Sequence, residues 1–177
     1  MNPEQLRYPI GRFVVPEQIT AEDRANYIKD LESLPRQIKD VVLGLNEEQL
    51  DTPYRPEGWT VRQLVHHIPD SHLNSYIRFK WTLTEDQPVI KAYDEKEWAL
   101  LPDARNAPVE LSLSLLETIH ARWVWFLRSL KDEQWKKSFQ HPETNKMVPL
   151  DLNLSLYSWH GKHHLAHIQS LINRMKW

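Results

Sequence analysis

Apolar residues recur three and four positions apart in four separate stretches of this chain, the spacing that turns one face of a helix toward a core. The first stretch runs from about Thr20 to Leu45 on Tyr27, Ile28, Leu31, Leu34, Ile38, Val41, Val42 and Leu45. Thr20 and Asp23 form a capping pair at its start, and Pro35, which withholds one backbone donor, predicts a kink. The second opens on Thr60 and Gln63, another capping box, and shows Val61, Leu64, Val65, Ile68, Leu73, Tyr76, Ile77 and Leu83. It predicts a helix of about six turns with a bend at Pro69. The third carries Leu115, Leu116, Ile119, Trp123, Phe126, Leu127 and Leu130. The fourth starts near Asp151, read as an N-cap, and continues through Leu154, Tyr157, Ile168, Leu171, Ile172 and Met175.

The connections are longer than a simple up-and-down bundle needs. "NEEQLDTPYRPEGW" reads as a polar link with room for a short helical turn, and residues 85–109 as a long crossover with one short helix at "DEKEWALL". "SFQHPETNKMVPL" reads as a small hairpin or loop. Residues 1–19, with Pro3, Pro9, Gly11 and Pro16, read as an extended N-terminal arm lying on the domain or on a partner subunit. The expected fold is therefore all-α: a single domain over 1–177, built as a four-helix bundle with long crossover connections.

Composition removes several functions. A chain of 177 residues can bury a core without a structural metal, so stability alone asks for none. There is no cysteine, hence no disulfide, thiolate ligand or cysteine nucleophile, which suits a reducing cytoplasm. The opening "MNPEQLRYPIGRF" lacks the basic and apolar regions of a signal peptide, and no apolar run approaches the ~18 residues of a membrane span. With 22 basic against 24 acidic side chains and no basic run, nucleic acid is not an expected partner, nor is a membrane. A small-molecule substrate is.

The chemistry concentrates in "SLYSWHGKHHLAHI", with His160, His163, His164 and His167. Residues four apart share a helix face about one turn apart, so His160 and His164 can turn toward one ion. His163 and His167 read as neighbours, outer donors or surface residues. A third ligand is expected from a facing helix, and the second helix offers His66, His67 and His72. His67 is preferred, because Gln63, Ser71, Asn74 and Arg78 extend a polar line beside it that would be costly unless it lined a solvated pocket. His120 and His141 read as ordinary solvated or hydrogen-bonded surface histidines.

"GWTVRQLVHHIPDSHLNSYIRFK" and "LYSWHGKHHLAHI", together with "RYPIG", "QLDTPYRPEGWTVRQ", "YDEKEWALLPD", "HARW", "HPET" and "RMKW", resemble the DinB-like superfamily. The resemblance is greatest to its YfiT branch, labelled metal-dependent hydrolases and related to bacillithiol S-transferases. It covers nearly the whole chain. It implies a bundle of unusual connectivity, a homodimer, and one zinc or nickel ion per subunit held by the histidine of "HIPD", His67, and by the first and last of "HGKHH", His160 and His164. The family more often has alanine where this chain has Pro69, which bears on the geometry just after the first ligand.

Three neutral imidazoles leave an ion its full charge and open coordination positions, as in catalytic rather than closed sites. Such a site suits Zn, Ni, Cu or Fe better than Mg or Ca. A zinc protease needs glutamate beside its first histidine, and Gly161 and Lys162 stand there instead, so the protease mechanism is not supported. Asp70, Asp94, Glu95 and Tyr157 are candidate bases, each with an ordinary structural reading beside it. Asn74 and Arg78 are candidate anchors for a polar or anionic substrate. Three classes follow: a hydrolase activating water, a transferase activating bacillithiol or a similar small thiol, and a non-enzymatic metal or ligand carrier.

Overall fold

In the computed structural model, which describes residues 2–177, the chain forms eight α-helices, a 3-10 helix over Asp132–Lys136 and one two-stranded hairpin. They are α1 (Pro3–Arg7), α2 (Ala21–Val42), α3 (Glu47–Leu50), α4 (Val61–Thr84), α5 (Glu95–Trp98), α6 (Pro102–Asn106) and α7 (Val109–Arg128), then β1 (Ser138–Gln140), β2 (Met147–Pro149) and α8 (Leu150–Met175). The four long helices are the four periodic stretches. Thr20 and Thr60 cap α2 and α4 by accepting the N–H groups of Asp23 and Gln63, whose side chains accept from the cap backbone in return. Both helices run on through their prolines, Pro35 and Pro69.

Several boundaries differ from the sequence expectation. The arm is not wholly extended: Asn2 and Gln5 form a capping box that nucleates α1. Helix α2 stops at Val42, short of Leu45. The crossover holds two short helices, because Asp94 caps α5 and the proline at the start of α6 begins another turn. Asp151 is not the N-cap of α8 but lies in its first turn, where Lys136 pairs with its carboxylate at 3.0 Å. β1 and β2 pair antiparallel, so "SFQHPETNKMVPL" is a hairpin.

Helices α2 and α4 each pack against both α7 and α8. α2 thus stands diagonally opposite α4, and α7 opposite α8, whereas the long crossover joins the neighbours α4 and α7. Among the described residues no helix is long and apolar enough to cross a membrane.

The core comes in two parts. One contains Leu34 and Ile38 of α2, Leu64 and Ile68 of α4, Leu116 of α7, and Leu165 and Ile168 of α8. The other contains Leu31, Tyr76 and Phe79, Ile119 and Trp123, and Leu154 and Tyr157 from the same four helices. On every helix the switch falls at the same level, between Leu31 and Leu34, Ile68 and Tyr76, Leu116 and Ile119, and Tyr157 and Leu165. His72, His160 and His164 fall within that interval, and His67 and His120 lie directly beside it.

Candidate metal centre

His160 and His164 stand one turn apart on α8, and His67 faces them from α4. One ring nitrogen from each lies within 4.8 Å of the other two. Nε2 of His160 is 3.3 Å from Nε2 of His67 and 3.0 Å from Nε2 of His164. Zinc–nitrogen bonds of roughly 2.0–2.1 Å set tetrahedral ligand atoms about 3.3 Å apart, so this spacing fits a single ion with little adjustment. Trp59 packs on His67 with ring centroids 4.8 Å apart, and Tyr157 on His160 at 5.5 Å. His164 Nδ1 is buried with no partner.

Burial also holds these three rings in the protonation state that metal binding requires. Desolvation pushes His67 down to about 4 and moves His160 and His164 well below the usual histidine range, with neighbouring imidazoles adding to the effect on the last two. All three are neutral at pH 7, as coordination through a ring nitrogen requires. The donor set of three imidazoles fits a divalent transition ion.

The other histidines sort clearly. His66 turns to the start of α7, where its ring meets Ser112 Oγ at 2.6 Å, and to the end of α6, where it meets the Ala107 carbonyl at 3.1 Å. His72, set aside as a ligand, is wholly buried with Nε2 3.1 Å from His160 Nδ1. His120 is not at the surface as expected: it is 1% exposed, with Nδ1 on the Leu31 carbonyl and Nε2 2.9 Å from His72 Nδ1. An isolated histidine in sequence gives no sign of such company. His163 and His167 are buried too, Nε2 to Nε2 at 3.0 Å, and packed on Trp159 and Tyr54. The N-terminal arm covers this side through Tyr8 on His163 and Phe13 on Trp159.

The three ligand candidates open into a cavity of about 550 Å³ whose wall includes Ser71, Arg78, Tyr93, Glu95, Lys96, His141, Glu143 and Tyr157. Arg78 is 8% exposed and its Nε has no hydrogen-bond partner. Asn74 is not on this wall; it donates to the Asp70 carbonyl one turn back. Of the candidate bases, Glu95 and Tyr157 line the cavity and Asp70 and Asp94 do not. Asp94 is occupied as the α5 cap, and Asp70, pushed up to about 6 by burial and by Asp103, lies outside the cavity wall. Tyr93, Glu143 and His141 were missed as wall residues because the crossover and the hairpin deliver them, and loop placement leaves no periodic signal.

Lys162 faces the other way. Its ammonium sits 2.8 Å from the Asp30 carboxylate of α2, which also accepts from Ser158 at 2.6 Å. The lysine of "HGKHH" therefore ties α8 to α2 outside the cavity.

A four-helix bundle with three convergent histidines at mid-height defines a class, and the DinB superfamily model matches residues 30–168. The chain belongs to that family. It is 49% identical over 177 residues, all of this chain and 99% of the relative, to the Bacillus subtilis protein named "Putative metal-dependent hydrolase YfiT". A relative from Oceanobacillus iheyensis bearing the same designation is 52% identical over 171 residues, 97% of this chain and 98% of its own. The solved structure of B. subtilis YfiT, described as having an unusual four-helix bundle topology, superposes with a TM-score of 0.96 over 98% of this chain and 99% of that one.

Proposed function

We propose that this chain is a metal-dependent hydrolase in which His67, His160 and His164 hold one zinc or nickel ion. The observation that carries the reading is the convergence of three neutral imidazoles at the head of a cavity that also holds an unpaired arginine. His67, His160 and His164 would hold the ion, which when bound would supply a Lewis acid able to activate water near neutral pH. Arg78 binds and orients an anionic group of the substrate, since its buried Nε offers a charged donor with no protein acceptor. Tyr157 and Ser71, 3.5 Å apart on the wall, offer hydroxyls to the reacting carbonyl or phosphoryl group. Glu95 and Glu143 are the wall carboxylates that can take up a proton. The names of the relatives support the same chemistry.

A second reading, transfer of a small thiol such as bacillithiol, draws on the same Arg78, which would equally hold the carboxylates of such a cosubstrate. The reading also includes a cytoplasmic homodimer. Leu111, Leu115 and Trp125, exposed on α7, offer one apolar surface for pairing.

The test loads the protein with Zn²⁺ or Ni²⁺ and supplies p-nitrophenyl acetate, p-nitrophenyl succinate and, separately, monochlorobimane with and without bacillithiol. Metal-dependent ester turnover favouring the succinate, lost in His160→Ala with the bound ion, is the expected result. Consumption of bimane only with the thiol, with no ester turnover, would replace hydrolysis by thiol transfer.

A further inference from the structure

Four groups, one from each long helix, form a hydrogen-bonded file that ends on a ligand candidate: the Leu31 carbonyl of α2, His120 of α7, His72 of α4 and His160 of α8. The file has a direction. A carbonyl can only accept, so His120 must carry its proton on Nδ1. Each imidazole here is packed among other rings, His72 and His120 are out of reach of solvent, and the file holds no carboxylate to balance a charge, so each carries one proton. His120 Nε2 is then bare and accepts from His72 Nδ1–H, at 2.9 Å. His72 Nε2 is bare in turn and accepts from His160 Nδ1–H, at 3.1 Å. The last step leaves His160 Nε2 without a proton, its lone pair turned toward His67 and His164.

Pro35 supplies the origin of the file. In a helix the Leu31 carbonyl would accept the N–H of residue 35, four positions on. Proline has none, so that carbonyl is released inside α2 for His120 to use.

We infer that Pro35, His120 and His72 are positioning residues that lock His160 in the Nδ1–H tautomer and so keep its Nε2 ready for a metal ion. The inference rests on the metal-centre reading for its purpose, but not for its geometry. Among the described residues, His160 is the one ligand candidate whose outer nitrogen is held by another side chain; His164 Nδ1 has no partner. Outer contacts of this kind fix ring orientation and basicity at metal sites.

Two measurements separate the inference from the reading beneath it. Long-range ¹H–¹⁵N correlation spectra of the metal-free chain report tautomers directly, and should show His72, His120 and His160 all protonated at Nδ1. Finding the proton on Nε2 of His72 or His160 overturns the inference whether or not metal binds. Zn²⁺ affinity, read by competition with a chromophoric chelator, then tests the role. His120→Phe keeps the volume but frees His72 to reverse, and should weaken binding roughly 10–100-fold. His72→Gln can present its amide oxygen to His160 Nδ1–H whatever stands at 120, so His72→Gln with His120→Phe should bind better than His120→Phe alone. If the double variant is the weaker of the two, His120 acts only by packing and the positioning role falls. A wild-type chain that binds no Zn²⁺ removes the metal-centre reading and this role with it, while the spectra still decide the tautomers.

Discussion

Gly161 of α8 lies flat against Leu34 of α2: a β-carbon at 161 would run into Leu34 Cδ2 and crowd its Cδ1 at 3.2 Å. Leu34 is itself buried in the core, so it has little room to yield. Overpacking of this kind costs roughly 1–3 kcal/mol, against about 1 kcal/mol regained from helix propensity. Gly161→Ala should therefore lower unfolding free energy by about 1 kcal/mol. Urea denaturation at pH 7.5 checks this, and a variant as stable as the parent would show that α8 does not depend on the close approach.

Removing Lys162 should leave the centre untouched. Its partner Asp30 is on the outer side of α2, and both side chains are partly exposed, a setting in which ion pairs contribute ~0–1 kcal/mol. Lys162→Met should bind Zn²⁺ within about twofold of the parent, since no ligand contact is lost. A large loss of affinity would return the lysine to the site.

Replacing Pro35 acts in the opposite sense to the usual expectation for a helix. Pro35→Ala gives residue 35 an N–H that competes with His120 for the Leu31 carbonyl. Zn²⁺ affinity should fall several-fold, by less than in His120→Phe, while the melting temperature does not fall. Unchanged affinity would mean that the carbonyl serves both donors.

Acid should destabilise the metal-free protein earlier than carboxylate titration alone would. His67, His120 and His163 are pushed down to about 4 and His167 to about 3, chiefly by burial. Between about 6.5 and those values the unfolded chain binds protons that the folded chain refuses, so stability is full above pH 6.5 and is lost as pH falls toward 4. Asp70, pushed up to about 6, works in the other direction but is a single group. Urea midpoints at pH 7.5, 6.0 and 5.0 should drop in that order; a flat series would contradict the burial of the histidines.

Subunit pairing is checked at Trp125, 76% exposed on α7. The proposed homodimer predicts a parent that scatters light as a dimer and a Trp125→Glu variant that scatters as a monomer. A dimer that survives the change does not use this face.

The helices were legible because apolar spacing is a local signal, and the capping threonines marked two of their starts. His160 and His164 were legible for the same reason, and His67 because a polar line beside an apolar stripe needs a cavity to explain it. What escaped was whatever depends on a third helix. His120 looked solitary until α2, α4 and α7 met around it, and Pro35 looked like a kink because the carbonyl it frees has no mark of its own in the sequence. Lys162, conspicuous by its place, is an ordinary tie between helices. Asn74 shared the spacing of the polar line, yet its amide is taken up by the Asp70 carbonyl of its own helix.

The two-part core has a consequence for how such a scaffold can diversify. The three ligand candidates stand on long helices clamped by apolar packing above and below, far from any fraying end. Much of the facing wall, Tyr93, Glu95, His141 and Glu143, comes from the crossover and the hairpin. Insertions and exchanges in those loops can change which molecule is admitted without disturbing the rings beneath them. One bundle can thus keep a single reactive floor while its walls are rebuilt for different cargoes.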